Sequence, residues 1–161
     1  NAFIPIEEQN NQVLRAFGGK LPANINILPF QEKNTQLNDL MNKCDVHISC
    51  SGAEGWSLPI FNALCLGKQV IAMNAHSHKD FCDNDNSILI DPTGIDNIYD
   101  KKFFQEGANF NQGKFFLFSQ QDFHSALDKA VERAKERNVN GEKLKDKFSV
   151  SKTVDTLLNL I

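Results

Sequence analysis

Val46-His47-Ile48-Ser49-Cys50, then Ser51-Gly52-Ala53-Glu54-Gly55-Trp56-Ser57, then Leu58-Pro59-Ile60-Phe61-Asn62-Ala63-Leu64-Cys65-Leu66 and Gly67 together decide the fold. The first five residues make a compact strand. The next seven read as a turn that carries two glycines. From Leu58 the run is almost wholly apolar and closes at Gly67, the usual helix stop. Gln69-Val70-Ile71-Ala72-Met73 supplies the next strand, and Ile88-Leu89-Ile90 another before Asp91-Pro92. Strand, helix and strand in that order predict an α/β fold with a Rossmann-like open parallel sheet flanked by helices.

Upstream, Val13, Leu14 and Phe17 space as the buried stripe of a short helix that stops at Gly18-Gly19. Ile25, Ile27 and Phe30 read as a short strand running into a loop. Thr35 is the expected N-cap of a helix carrying Leu37, Leu40 and Met41 and ending near Cys44. Downstream, residues 92–119 show no period. They read as a long loop with local turns, in which Phe103, Phe104, Phe110, Phe115, Phe116 and Phe118 anchor the loop or core or, as the less favoured alternative, line a ligand groove. Phe123, Leu127, Ala130, Val131 and Ala134 then mark an amphipathic helix from near Gln120 with a solvated charged face. Ser151 is the expected cap of a last helix carrying Val154, Leu157, Leu158 and Ile161. With no repeats and no low-complexity linker, residues 1–161 read as one domain.

Composition narrows the function. The 161 residues are 41% hydrophobic and 23% charged, ordinary for a globular protein. A chain of this length buries roughly 70% of its unfolded surface and needs no staples. Seventeen Lys and Arg against twenty Asp and Glu leave a net charge of -3, which argues against a general nucleic-acid binder. No apolar run approaches the roughly 20 residues of a membrane span. The sequence starts at Asn1 without a basic leader or small-residue cleavage site, as a processed product or an excised fragment would. Cys44, Cys50, Cys65 and Cys82 form no C-x-x-C pair, so they read as free, mostly buried thiols in a reducing cytosol. Zinc spacing is absent, and no metal is expected.

Chemistry concentrates in the turn. In open parallel sheets ligands bind beyond the carboxyl ends of the strands. Gly52 and Gly55 let the backbone approach a ligand. Ser57 is placed to cap the following helix, and Pro59 suits its first turn. Free N–H groups and the positive helix end favour an anion such as a diphosphate, although a tight turn that binds nothing has the same glycines. Glu54 must stay solvated or meet donors, which sugar hydroxyls or a protein group supply. Asn62, the polar side chain inside the apolar helix, either bonds the neighbouring turn or faces a ligand.

These segments resemble a family. Leu40-x3-Cys44-Asp45-Val46-His47-Ile48-Ser49, Glu54-Gly55-Trp56-Ser57-Leu58-Pro59 and Ala63-Leu64-Cys65-Leu66-Gly67-Lys68-Gln69-Val70-Ile71-Ala72 resemble the C-terminal domain of family 4 (group 1) glycosyltransferases. Those are retaining enzymes of the GT-B fold, with the donor site mainly in the second of two Rossmann-like domains. The likeness is good over residues 25–92 and looser to the end. It implies that Glu54 meets the donor sugar as the catalytic-site carboxylate. It implies that the backbone amides of residues 55–58 (Gly55, Trp56, Ser57 and Leu58) meet the diphosphate, with Ser51 and Gly52 also in the donor-binding turn.

The sequence also departs from the family pattern. Asn62 stands where the family usually has a second Glu that binds the nucleotide ribose; an amide accepts from one hydroxyl and donates to the other. Ser57 replaces a common glycine and Gln69 a common proline. The family's Arg and Lys for the diphosphate have no match, and Arg15, Lys20 and Lys33 read as surface cations. Phe30 is placed either to stack on the base or to pack in the core. His76 and His78 read as ordinary loop histidines near the donor.

The resemblance implies a nucleotide-sugar donor such as a UDP or GDP hexose, with no other cofactor. It also implies a glycan or other acceptor held by an N-terminal domain outside this chain, cytoplasmic location, and polysaccharide biosynthesis. A non-catalytic module that kept the fold but lost donor use is the alternative. A flavodoxin- or dinucleotide-type domain ranks last, because no G-x-G-x-x-G follows the first strand.

Overall fold

The computed structural model describes residues 5–99, 104–109 and 113–160; the expectations placed on Asn1, Phe103, Phe110 and Ile161 lie outside them. The chain forms two compact units, one ending at Asn34 and one running from Thr35.

In the first unit, α1 (Ile6–Ala16) carries Glu7 and Glu8 in its first turn and Arg15 in its last, which complements the helix dipole. It ends as expected at Gly18 and Gly19, both at positive φ, with the Gly19 amide donating to the Leu14 carbonyl at 2.8 Å. The stripe expected to be buried is not: no residue of α1 is buried, and Val13 and Phe17 are exposed. The strand expected around Ile25–Phe30 is absent. Pro29 has no N–H to give a ladder, and the Ile25 N–H is used in a turn to the Pro22 carbonyl at 3.0 Å.

α2 (Asn34–Asn42) opens one residue before Thr35, so Thr35 lies inside the helix and is not its cap; Met41 is its buried residue. The second unit continues with β1 (Val46–Ser49), α3 (Leu58–Cys65), β2 (Gln69–Met73), a 3-10 turn Ser77–Asp80 and β3 (Ile88–Ile90). The three strands are parallel in the order β1-β2-β3, with Val46 opposite Gln69 and Ile71 opposite Ile88. All five residues of β2 are buried. The two-residue period of a strand divides them between two cores. Val70 and Ala72 pack with Ile60, Ala63 and Leu64 of α3, while Ile71 and Met73 pack with Ala126 and Ala130 of α4 (Gln120–Arg133). Each fully buried aliphatic side chain here contributes about 1.5–3 kcal/mol. The result is the Rossmann-like parallel sheet between helices that the sequence predicts. β1 is a half-buried strand at one edge of this sheet, with Ile48 exposed.

Residues 92–119 are more than a loop. β4 (Gly94–Asn97) and β5 (Lys114–Leu117) pair antiparallel, Gly94 opposite Leu117 and Asn97 opposite Lys114. Gly94-Ile95-Asp96-Asn97 has one apolar residue and so no period to read. α4 starts where expected, capped by Ser119, whose Oγ accepts from the Asp122 amide at 3.0 Å. Val131, assigned to its apolar stripe, is exposed.

Two short helices, α5 (Val139–Glu142) and α6 (Leu144–Lys147), lead to α7 (Val150–Leu158). The cap of α7 is Ser149, which accepts from the Lys152 amide at 3.2 Å, and not Ser151. No α7 residue is buried, so its apolar stripe faces outward. All four thiols are free, but only Cys82 is buried; burial pushes it up to about 11, which leaves it an inert thiol. Among the described residues no helix is long and apolar enough to cross a membrane.

Candidate functional site

The connection from β1 to α3 lies at the carboxyl end of the sheet and is tied from three sides. Within it, Ser51 Oγ donates to the Ala53 carbonyl at 3.1 Å. From the loop after β2, Ser77 Oγ donates to the Glu54 carbonyl at 3.3 Å. From the hairpin, the Phe116 amide donates to the Gly52 carbonyl at 3.1 Å. Gly52 is a glycine because β5 presses on it: a Cβ there would stand 2.7 Å from Phe115 Cβ.

Each predicted site residue then takes a defined place. The Glu54 side chain is half-buried and, among the described residues, has neither an ion pair nor a hydrogen bond. Trp56 turns its ring into the core, 4.8 Å from Phe81 and 5.5 Å from Phe148 between centroids, so its backbone is what it offers a ligand. Gly55 and Leu58 are exposed, while Ser51 and Gly52 are half-buried. The amides of Gly55, Trp56, Ser57 and Leu58 have no acceptor among the described residues. They run into the first turn of α3, with Pro59 at its second position.

Asn62 lies one turn beyond Leu58 on the same face of α3. Its amide side chain is half-buried and has no hydrogen bond among the described residues, so the local alternative, a bond to the neighbouring turn, is not made. Phe30 belongs to the unit ending at Asn34 and is 79% exposed. Arg15 stands 3.8 Å from Glu8 on the surface of α1.

Among the described residues two non-glycine residues have positive φ, and both are here. Ser57 sits in the left-handed region (φ 63, ψ 69). A capping serine needs extended backbone, so Ser57 does not cap α3 as expected; its Oγ is buried without a partner. His76 has φ 64 and ψ -171, a region essentially confined to glycine. Each costs on the order of 1–3 kcal/mol of strain. The His76 ring packs edge-on against Phe116, 4.7 Å between centroids, and its Nε2 is buried without a partner.

His78 is fully buried, its Nε2 2.6 Å from the Met73 carbonyl. That contact requires the proton on Nε2 and leaves Nδ1 as an unpaired acceptor. Both histidines lie in the connection between β2 and β3, where a loop position was expected, but each carries a buried ring nitrogen without a partner. Sequence reasoning also missed β5 as a wall of the site, because no local pattern connects Phe115 and Phe116 to Gly52 and His76. Among the described residues no three His, Cys, Asp or Glu side chains are grouped to hold a metal ion.

Residues 7–102 match the family described as glycosyl transferases group 1. No curated protein matches the chain. Among solved structures, the chain is similar to the C-terminal domain of the group 1 glycosyl transferase LpcC from Francisella tularensis. That likeness has 18% identity and a TM-score of 0.57, and covers 88% of this chain and 61% of that one. It is also similar to Anabaena HepE (Alr3699) solved in complex with UDP, at 17% identity and a TM-score of 0.62, covering 96% of this chain and 37% of that one. The chain thus spans less than two thirds of either structure.

Proposed function

Because the chain belongs to the group 1 glycosyl transferases, we propose that it is the donor-binding part of a retaining enzyme. That enzyme moves a hexose-type sugar from a nucleoside diphosphate to a glycan or other acceptor held by a second domain. The observation that carries the reading is the run of four amides, Gly55 to Leu58, without acceptors at the start of α3 and beside the unpaired Glu54 carboxylate. Fixed N–H dipoles and the positive end of a helix hold a leaving diphosphate without reorganising as charge develops on it. Glu54 accepts hydrogen bonds from donor-sugar hydroxyls, and Asn62 pairs one ribose hydroxyl as acceptor and the other as donor. The UDP bound to HepE supports a uridine nucleotide. Four free thiols support a reducing, cytoplasmic setting.

Calorimetric titration with UDP, GDP, ADP and their hexose conjugates tests the reading. One base is expected to bind selectively. Glu54→Ala is expected to weaken the sugar conjugate at least tenfold while leaving the bare diphosphate nearly unchanged. Asn62→Glu, which restores a carboxylate, is expected to tighten the nucleotide by about 1 kcal/mol. If no nucleotide binds even to the complete protein, the chain is instead a non-catalytic module that kept the fold.

A further inference from the structure

The costliest backbone conformation near the site belongs to a residue the donor-binding reading does not use. His76 occupies a conformation that glycine adopts freely, and its Nε2 is buried without a partner. Packing alone does not account for this, since glycine would relieve both penalties at once. Such residues persist where their surroundings over-determine them, and they cluster at functional sites. The surroundings of His76 are of that kind. The ring meets Phe116 edge-on, the Phe116 amide holds the Gly52 carbonyl, and the adjacent Ser77 hydroxyl holds the Glu54 carbonyl. Gly52 cannot retreat toward the hairpin, because Phe115 fills the space a Cβ would need.

We infer that His76 and Phe116 form a positioning pair that splints the Gly52–Glu54 backbone, so that the hairpin after β3 sets the geometry of the donor turn; this rests on the donor-binding reading. The turn makes one internal hydrogen bond from a side chain, Ser51 to Ala53, and its other two anchors come from the elements that the His76–Phe116 contact clamps together. Releasing the ring lets both anchors move. The carboxylate and the free amides then no longer meet sugar and diphosphate simultaneously, which is what affinity for the conjugate requires. Neither residue needs to touch the donor.

The test is binding of UDP and UDP-hexose to the full chain carrying His76→Gly, Phe116→Leu or His76→Phe, with melting temperature and amide exchange at residues 52–55 alongside. His76→Gly relieves the backbone strain, so its melting temperature is expected to hold or rise while affinity for UDP-hexose falls about tenfold. Phe116→Leu is expected to act in the same direction. His76→Phe keeps the ring and discards the ring nitrogens, and is expected to retain wild-type affinity and slow exchange. Stability and affinity moving apart, with rescue by a phenyl ring, is an outcome that a merely structural residue does not produce. Unchanged affinity in His76→Gly overturns the inference, as does equal loss in His76→Phe. A wild-type protein that binds neither UDP nor UDP-hexose, nor any other nucleotide offered, fails the donor-binding reading itself, and the inference falls with it.

Discussion

The two rims of the parallel sheet both reverse the chain between strand and helix, and they do it in opposite ways. At the amino-terminal rim the residue at positive φ is a glycine, Gly67 (φ 74), and the buried polar side chains of Gln69 and Asn138 are paired. Asn138 donates to the Lys68 and Asn86 carbonyls at 2.9 and 2.7 Å and accepts from the Gly141 amide at 2.9 Å. Gln69 reaches the Glu136 carbonyl at 3.0 Å. At the carboxyl rim the positive-φ residues are Ser57 and His76, and Ser57 Oγ, His76 Nε2 and His78 Nδ1 are buried without partners. One rim is built for stability. The other carries strain and unpaired polar groups, and it is where the free amides and Glu54 stand.

Substitutions at the amino-terminal rim should therefore cost stability and spare binding. Asn138→Ala strips partners from two carbonyls and an amide in a buried position. It is expected to lower unfolding free energy by about 3 kcal/mol, read by urea titration, with nucleotide affinity unchanged. A loss of affinity to match would mean that the two rims are not independent. Gly67→Ala follows. It forces alanine into the left-handed region and sets a Cβ 3.0 Å from Arg137 Nε, beside the exposed Arg137–Glu142 pair. About 1–2 kcal/mol of destabilisation is expected from the backbone alone.

The opposite sign is expected across the sheet. Ser57→Gly removes left-handed strain and an orphaned hydroxyl, partly offset by the looser unfolded chain that glycine brings. A net gain of about 1 kcal/mol is expected, visible as a higher melting temperature. If Ser57→Gly destabilises, the left-handed backbone at Ser57 stores no strain, and the contrast with Gly67 collapses.

How legible this was follows from the kind of signal each feature leaves. Gln69–Met73 and Leu58–Cys65 announce themselves because a buried strand and an apolar helix need continuous apolar runs, and Gly67 marks the stop. The β4–β5 hairpin left no mark, because its pairing is non-local and its first strand has a single apolar side chain. Ile25–Phe30 misled in the other direction: the right residue types without ladder partners make no strand. Ser149 and Ser151 are equally plausible caps by composition, and only the backbone conformation separates them. Within the site, Glu54 and the glycine turn were readable from type and position. The conformation of Ser57 and the role of β5 were not, since positive φ at a non-glycine residue is imposed by packing.

His47 sharpens the comparison, because it carries a buried unpaired Nε2 away from the carboxyl rim, in the amino-terminal half of β1. Burial holds its imidazole below the ordinary histidine value. As pH falls through about 6.5, the unfolded chain takes up this proton before the folded chain does. Stability contributed by neutral His47 is therefore complete above that value and declines below it, down to the lower pKa of the folded state. A falling urea midpoint between pH 7 and 5 is expected, at well under the 1.4 kcal/mol per pH unit that a whole proton would give. His47→Leu removes both the titration and the orphaned nitrogen, so its midpoint should be flatter over that range, with nucleotide affinity unchanged. An identical slope in His47→Leu would mean that its burial does not penalise the charge, and would leave the unpaired polar atoms of consequence confined to the rim that holds Glu54.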